Sequence, residues 1–131
     1  MYIRRKGIKL EIYGLDHVQL AMPVGHEEQA RAFYSGVLGL TEQPKPANLV
    51  GRGGVWFVGG TLKLHLGVEA DFRATKKAHP ALLVRDVESA AAECAAAGYL
   101  AVSDEALEGF KRVYVEDPFG NRAELLEANV L

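Results

Sequence analysis

The sequence has little cysteine, no large excess of charge of one sign and no long apolar run. Its single cysteine, Cys94, cannot form a disulfide within the chain, which favours a reducing compartment such as the cytoplasm. Fifteen basic residues against 17 acidic ones leave a formal charge of −2, and no long basic tract follows the Arg4-Arg5-Lys6 start. A nucleic-acid partner is therefore not expected. No apolar run reaches the length of a membrane span, and none follows the basic start, so neither a membrane partner nor a secretory signal is expected.

The chain does have enough apolar residues for one hydrophobic core. Of its 131 residues, 49% are hydrophobic and 24% are charged, as in a soluble globular domain. This length is too short for two independent cores. We therefore predict a single domain over residues 1–131, consisting of an N-terminal extension (1–14) and two half-size modules (about 15–68 and about 78–127).

The extension and both modules show strand and helix patterns. In the extension, Ile8, Leu10 and Ile12 alternate with polar residues, which predicts a half-buried strand that pairs either within the chain or with a second subunit. Each module is predicted to follow the order β-α-β-β-β. The elements assigned in module one are a strand over 15–22, a helix over 27–38, and strands over 55–58 and 61–68 joined by a Gly59-Gly60 turn. Those in module two are a strand over 79–84, a helix over 87–97 with Asp86 as N-cap, and strands near 99–102, over 110–116 and over 122–127.

Two pairs of metal-capable side chains recur at equivalent places in the two modules. His17 and His65 belong to module one, and His79 and Glu124 belong to module two. The first members are 62 residues apart (79 minus 17) and the second members 59 (124 minus 65), so one length difference of three residues accounts for both offsets. This pattern indicates a degenerate duplication whose donors meet where the two copies meet.

Strand alternation supports a shared location for these donors. His65 and Glu124 each lie on the face of their strand opposite to the aliphatic residues. If the helices cover the aliphatic faces, all four donors point to the other, concave face. Imidazoles with one carboxylate and no thiolate suit a divalent ion such as Zn, Ni, Co, Mn or Fe. We therefore predict a metal site formed by His17, His65, His79 and Glu124, although any one of these residues alone would more often be a surface residue.

Weaker candidates for substrate contacts share the same faces. Gln19 lies on the face of His17, Arg112 and Tyr114 share a face by alternation, and Arg122 shares one with Glu124. Arg122 could bind a carboxylate or phosphate of a substrate. The alternative for both arginines is that they are solvated or salt-bridged. Trp56 or Phe57 could line the pocket, although core packing is more common, and Cys94 is expected to be a small core residue.

Three segments carry a family resemblance. Leu15–Val18 (LDHV), Ala32–Leu40 (AFYSGVLGL) and Val115–Leu125 (VEDPFGNRAEL), together with the repeated element order, resemble the vicinal oxygen chelate superfamily. That superfamily includes glyoxalase I, bleomycin-resistance proteins, extradiol dioxygenases, methylmalonyl-CoA epimerase and fosfomycin-resistance thiol transferases. The resemblance spans about residues 15–127. It implies an α+β fold in which two βαβββ modules form cup-shaped, half-barrel mixed sheets with the helices outside.

The resemblance also implies roles for the donors. His17, His79 and Glu124 fall where the superfamily places its usual ligands, whereas His65 stands where glyoxalase I has Glu and the epimerase has Gln. This departure means that glyoxalase I activity itself is not implied. Short members commonly form homodimers. In many of them one module from each chain completes the cup, and in others one chain completes it alone.

The function implied is that of a metal-dependent glyoxalase-like enzyme. Its substrate would be a small molecule that chelates the ion through vicinal oxygens, with Glu124 or a metal-bound water moving the proton. Four ligands favour isomerase, lyase or epimerase chemistry. The alternatives are a ring-cleaving dioxygenase and a non-catalytic drug- or metabolite-binding protein of the resistance type.

Overall fold

The computed structural model describes residue 7 and residues 9–128. It contains two four-stranded mixed sheets, each with one helix against it. The elements in chain order are β1 (Val18–Met22), α1 (Glu27–Tyr34), β2 (Thr41–Gln43), a 3-10 helix (Ala47–Arg52), β3 (Val55–Gly59), β4 (Leu62–Val68), β5 (Ala81–Leu83), α2 (Val87–Ala96), β6 (Val102–Ser103), β7 (Phe110–Glu116) and β8 (Arg122–Ala128).

The two sheets have the same topology. The strand order is β1-β4-β3-β2 in the first sheet and β5-β8-β7-β6 in the second. In each sheet the opening strand is parallel to the last one, and all other neighbours are antiparallel. The prediction of an α+β fold built from two βαβββ modules is therefore confirmed. Among the described residues, no helix has both the length and the apolar character that crossing a membrane requires.

The helices cover the aliphatic faces of the sheets because those faces hold the apolar residues. Helix α1 contacts β3, and α2 contacts β7 and β8. The residues buried between them include Phe33, Phe57, Leu64, Leu125 and Cys94. Cys94 is a core residue, as expected, and desolvation raises the pKa of its thiol. The inner strands of both sheets thus bury one face toward the helices and leave the other face for polar residues, whereas the edge strands β2 and β6 have no buried residue.

A buried hydrogen-bond network connects the two modules. The hydroxyl of Tyr34 in α1 donates to Asp117 Oδ2 at 2.7 Å, and burial together with this carboxylate raises the pKa of Tyr34 well above its usual value. Asn121 Nδ2 donates to the carbonyl of Ala21 in β1 at 2.8 Å and to Asp117 at 3.0 Å. The amide of Thr75, in the linker between the modules, donates to Asn121 Oδ1 at 3.0 Å. Because buried polar groups are costly to leave unpaired, this network holds the modules in one orientation.

Three local expectations from the sequence are not met within the single chain. Residues 9–14 form no strand there, and Leu10 and Ile12 are exposed; Ile8 lies outside the described residues. Pairing of this segment with a second subunit stays a prediction. Alternation alone predicts a strand but cannot supply the neighbouring strand that its hydrogen bonds need. Helix α1 ends at Tyr34 rather than at residue 38, and the chain continues in hydrogen-bonded turns to Gly39. The β3–β4 turn is formed by Gly60 and Thr61, because Gly59 pairs with Leu62.

Candidate metal centre

The first donor pair forms part of a three-ring stack on the polar face of the first sheet. His65 lies in β4, with Trp56 beside it in β3 and Gln19 beside it in β1. The Trp56 and His65 rings are 3.9 Å apart between centroids, with planes 3° apart. His17, directly before β1, stacks on His65 with centroids 4.3 Å apart and planes 18° apart. The structure therefore brings His17 and His65 into contact and fixes the plane of the His65 ring.

The surroundings of His65 favour its neutral form. Its residue surface is only 7% exposed, and desolvation, followed by the repulsion of His17, lowers the pKa of His65 below its usual value of 6.5. A metal ion binds the neutral imidazole through a nitrogen lone pair. The stack thus keeps His65 in the protonation state that coordination requires.

The second donor pair lies at the equivalent place in the second sheet. Glu124 lies in β8, between Ala81 of β5 and Tyr114 of β7, and only 6% of its surface is exposed. His79 precedes β5, and its Nε2 is 3.1 Å from Glu124 Oε1. The His79 and Tyr114 rings pack edge to face, with their centroids 5.2 Å apart. Tyr114 therefore occupies in this sheet the place that Trp56 occupies in the first.

Hydrogen bonds decide which ring nitrogen of His17 and of His79 is free to bind a metal ion. His17 Nδ1 is 2.9 Å from Asp16 Oδ2, and His79 Nδ1 is 2.9 Å from the carbonyl oxygen of Lys77. Carboxylate and carbonyl oxygens only accept hydrogen bonds, so both Nδ1 atoms carry the proton. In the neutral rings, Nε2 then holds the free lone pair. This is the tautomer that a metal-binding histidine has when an outer oxygen orients it.

The contact between His79 and Glu124 then requires a proton or a cation between the two atoms. With His79 neutral and Glu124 ionised, the lone pair of Nε2 faces Oε1, and two acceptors 3.1 Å apart repel each other. A proton on either atom, or a cation held by both, removes that repulsion. One carboxylate and three imidazoles fit a divalent transition-metal ion, so the donor chemistry is compatible with such an ion.

Two arginines lie beside this pair. Arg112 Nη1 is 3.6 Å from Glu124 Oε2 and 3.3 Å from the Tyr114 hydroxyl, and its Nη2 is 3.8 Å from Asp104. The guanidinium carbon of Arg122 lies 4.8 Å from the centre of the Tyr114 ring, within cation–π distance. Arg112, Tyr114 and Arg122 therefore share the polar face with Glu124, as the alternation predicts.

A cleft of about 410 Å³ runs along β1 and the start of β5. Its lining includes Gln19 from module one, His79 from module two, and Arg73 and Thr75 from the linker. The Gln19 side chain lies over Gly67, where an added Cβ would come within 2.9 Å of its amide nitrogen. Gln19 therefore faces the same cleft as one of the predicted ligands.

Within one chain the two donor pairs remain separate. The described part of the chain contains no group of three or more His, Cys, Asp or Glu side chains placed to hold one ion. His17 contacts His65, and His79 contacts Glu124, but the two pairs do not come together at one place. A four-ligand site therefore stays a prediction, and a second subunit is one way to complete it.

Two residues beside the donors were not identified from the sequence as partners of particular ligands. Asp16 orients His17, and its adjacency in the sequence was the available signal. Trp56 was only one of two candidates for the pocket wall. The β3–β4 register decides that Trp56 faces His65 while Phe57 is buried in the core. A turn at Gly59-Gly60 would have placed Gly54 beside His65, because pairing shifts with the turn.

Comparisons with known proteins agree on one family. The family model of the Glyoxalase/Bleomycin resistance protein/Dioxygenase superfamily matches residues 14–125. The structure of a glyoxalase family protein from Bacillus anthracis is 45% identical in sequence and has a TM-score of 0.88, over 92% of this chain and 99% of that one. None of the curated proteins compared with the chain matches it.

More distant structures share the fold only. The antibiotic binding protein TnmS3 from Streptomyces is 18% identical with a TM-score of 0.70, over 92% of this chain and 99% of that one. Lactoylglutathione lyase from Agrobacterium tumefaciens is 24% identical with a TM-score of 0.62, over 83% of this chain and 90% of that one. One of these neighbours is named for binding and the other for catalysis, so the fold does not decide between the two.

Proposed function

Since the chain belongs to the glyoxalase/bleomycin resistance protein/dioxygenase superfamily, we propose that it is a metal-dependent enzyme of the lyase, isomerase or epimerase type. Its substrate is a small molecule that chelates the ion through two adjacent oxygens. The observation that carries this proposal is the His79–Glu124 contact, in which an imidazole nitrogen and a carboxylate oxygen, both capable of binding a metal ion, lie 3.1 Å apart. A resistance-type binding protein needs no such arrangement.

The proposed ligands are His17 and His65 from one subunit, with His79 and Glu124 of the partner subunit. This division is supported by the separation of the two pairs within one chain and by the exposure of His17. It gives two equivalent sites per homodimer, related by the two-fold axis. The ion bound there is Zn, Ni, Co, Mn or Fe, and it would supply Lewis-acid polarisation of a substrate carbonyl.

The surrounding residues have separate tasks in this proposal. Glu124 Oε2, the oxygen turned away from His79, takes a proton from the carbon beside the substrate carbonyl and returns it to a neighbouring carbon. Arg112, 3.6 Å from that oxygen, keeps the carboxylate oriented. Asp16 orients His17, and Trp56 holds the plane of His65. Gln19 and Tyr114 contact the substrate from the cup wall.

Metal content tests the proposal first. Protein purified without an affinity tag should contain about one divalent ion per chain, and His79→Ala should lose most of it. His26→Ala is the matched control, because His26 is an exposed histidine that forms no part of either pair. Trp56 is the single tryptophan and stacks on His65, so titration with Co²⁺ should quench its fluorescence in the wild type. Equal metal loss in both variants, or no bound metal and no change in thermal stability on adding metal, would support a binding protein instead.

Activity assays then separate the reaction types. Isomerisation of a hemithioacetal by the Ni- or Zn-loaded protein would place it with glyoxalase chemistry. Oxygen uptake with catechols in the presence of Fe(II) would instead identify the ring-cleaving dioxygenase. A metal-loaded protein inactive in both assays would retain the broader proposal and exclude these two substrates.

A further inference from the structure

One positive charge on the polar face of the second sheet has no directly bonded carboxylate in the described part of the chain. The Arg122 guanidinium donates no hydrogen bond to any described residue, and no described carboxylate lies within 4.0 Å of it. It lies over the face of Tyr114, with 4.8 Å between the guanidinium carbon and the ring centre. Stacking covers the plane of a guanidinium and leaves its N–H donors, which point along the edges, available for a bidentate acceptor.

The β7–β8 register places this charge next to the proposed proton carrier. Tyr114 lies directly opposite Glu124, and Arg122 precedes Glu124 by two residues on the same strand, so the two side chains share a face. The spacing of two strand residues is about 7 Å. Glu116, the residue opposite Arg122, is bound to Lys76 at 2.7 Å. The Arg122 side chain can therefore reach a group that lies only a few bonds from the reacting atoms of a molecule held at Glu124.

The charges on this face become positive once an ion is bound. Arg112 lies beside two carboxylates, Glu124 at 3.6 Å and Asp104 at 3.8 Å. The two arginines balance these two carboxylates, and Lys76 balances Glu116. Counted over these side chains, a divalent ion would leave the face with a formal charge of +2. A neutral chelating substrate would leave this charge uncompensated.

We propose that the substrate carries an oxyanion, a carboxylate or a phosphonate, separated by a few bonds from its chelating oxygens, and that Arg122 binds it. The inference rests on the proposed function, since it names the substrate class of the same site. The Tyr114 ring holds the guanidinium plane, and the edge N–H groups take the two oxygens of the anion. Arg122 thereby selects among chelating molecules without taking part in coordination.

Matched chelators test this role. Acetohydroxamate chelates through two oxygens and has an uncharged tail, whereas succinic monohydroxamate adds a carboxylate and a phosphonate analogue adds a phosphonate. Calorimetric titration of the Zn-loaded protein should show tighter binding of a charged chelator than of acetohydroxamate, by about tenfold, as expected for one charge-assisted hydrogen-bonded pair. The better of the two charged tails identifies the oxyanion.

Variants assign the preference to a residue. Arg122→Gln should reduce the ratio of the two affinities to about one. Lys111→Gln is the control, because Lys111 is an exposed cation on the opposite face of β7 and should keep the full preference. Equal affinities in the wild type, or a preference that survives in Arg122→Gln, would overturn the inference while acetohydroxamate binding still supports the metal site. If the Zn-loaded wild type bound none of the chelators, the proposed function would fail, and the inference would fail with it.

Discussion

At the scale of single residues, the environment of each donor differs even though the two pairs are equivalent by duplication. His65 lies between two rings and is nearly inaccessible, whereas His17 is partly exposed and oriented by Asp16. His79 and Glu124 face each other directly. Burial is therefore the main influence on His65, whereas hydrogen bonds are the main influence on His17 and His79. A mutation near one of these residues should act by changing its burial or its hydrogen bond accordingly.

The lowered pKa of His65 predicts how stability depends on pH in the metal-free protein. In the unfolded chain His65 takes up a proton near pH 6.5, whereas in the folded state its lowered pKa means that protonation needs a lower pH. The unfolded state thus binds more protons below that pH, and stability falls as the pH decreases from about 7 to 5. His65→Gln should flatten this decrease in the free energy of unfolding, measured with urea at several pH values. His26→Gln, at an exposed position, should leave the slope unchanged, and an unchanged slope in His65→Gln would contradict the prediction.

The contact between Asp16 and His17 predicts an indirect effect on metal binding. Asp16→Ala removes the acceptor that fixes His17 in the tautomer with Nε2 free. Loss of an outer-sphere partner weakens metal affinity by roughly 10-fold to 100-fold, and we expect the lower end because Asp16 is exposed. Competition with a chromophoric chelator measures the affinity. Asp71→Ala, at an exposed linker carboxylate, should have no effect; equal affinities in the two variants would show that Asp16 does not orient a ligand.

At the scale of elements, strand pairing decides which side chains surround each donor. The positions opposite His65 and Glu124 are held by Trp56 and Tyr114, and these pairings depend on the β3–β4 and β7–β8 registers. Glu127 shows a second effect of packing between elements. Glu127, in β8, accepts a hydrogen bond of 2.8 Å from the amide of Val87 at the start of α2. A helix N-terminus favours a negative charge at that place.

The network between α1 and the β7–β8 turn predicts a measurable loss of stability. Tyr34→Phe removes the hydroxyl that donates to the buried Asp117 and leaves that carboxylate with one donor fewer. The expected destabilisation is about 1–2 kcal/mol in the free energy of unfolding. Tyr99→Phe is the matched control, because no hydrogen bond of the Tyr99 hydroxyl is present among the described residues, and its effect should stay below about 0.5 kcal/mol. Similar values for the two variants would show that the network does not stabilise the fold.

At the scale of the whole molecule, one chain leaves its two donor pairs apart and several large apolar side chains exposed. Leu10, Ile12, Tyr13 and Leu15 are between 80% and 97% exposed, and they lie within seven residues before His17 in the sequence. Exposed apolar residues grouped in this way mark interaction surfaces. Their position beside the first donor pair supports the proposed homodimer.

Mixing two inactive variants distinguishes a site shared between subunits from a site within one chain. One variant carries His17→Ala and His65→Ala, and the other carries His79→Ala and Glu124→Ala. If the site is shared, a heterodimer of the two has one site with four native ligands and should bind one ion, while each homodimer binds none. Heterodimers isolated with two different affinity tags, both cleaved before metal analysis, provide the measurement. Heterodimers without metal would place all four ligands in one chain.

The sequence alone was sufficient for the duplication, the family and the face on which each donor lies. These properties are local or periodic: alternation along a strand decides that His65 and Glu124 point away from the aliphatic core, and the similar offsets of 62 and 59 residues between the modules reveal the repeat. They need no knowledge of which strand lies beside which. The confirmed fold and family therefore could be predicted.

Only the tertiary structure decided the neighbours of those donors. The registers place Trp56 against His65 and Tyr114 against Glu124, and the chain path places Lys77 so that its carbonyl accepts from His79. A one-residue change in a turn alters these pairs without changing the pattern of the sequence. The same reason applies to the extension, whose alternation predicts a strand but does not determine what lies beside it. Periodicity determines which face a side chain occupies, whereas long-range pairing determines what it meets there.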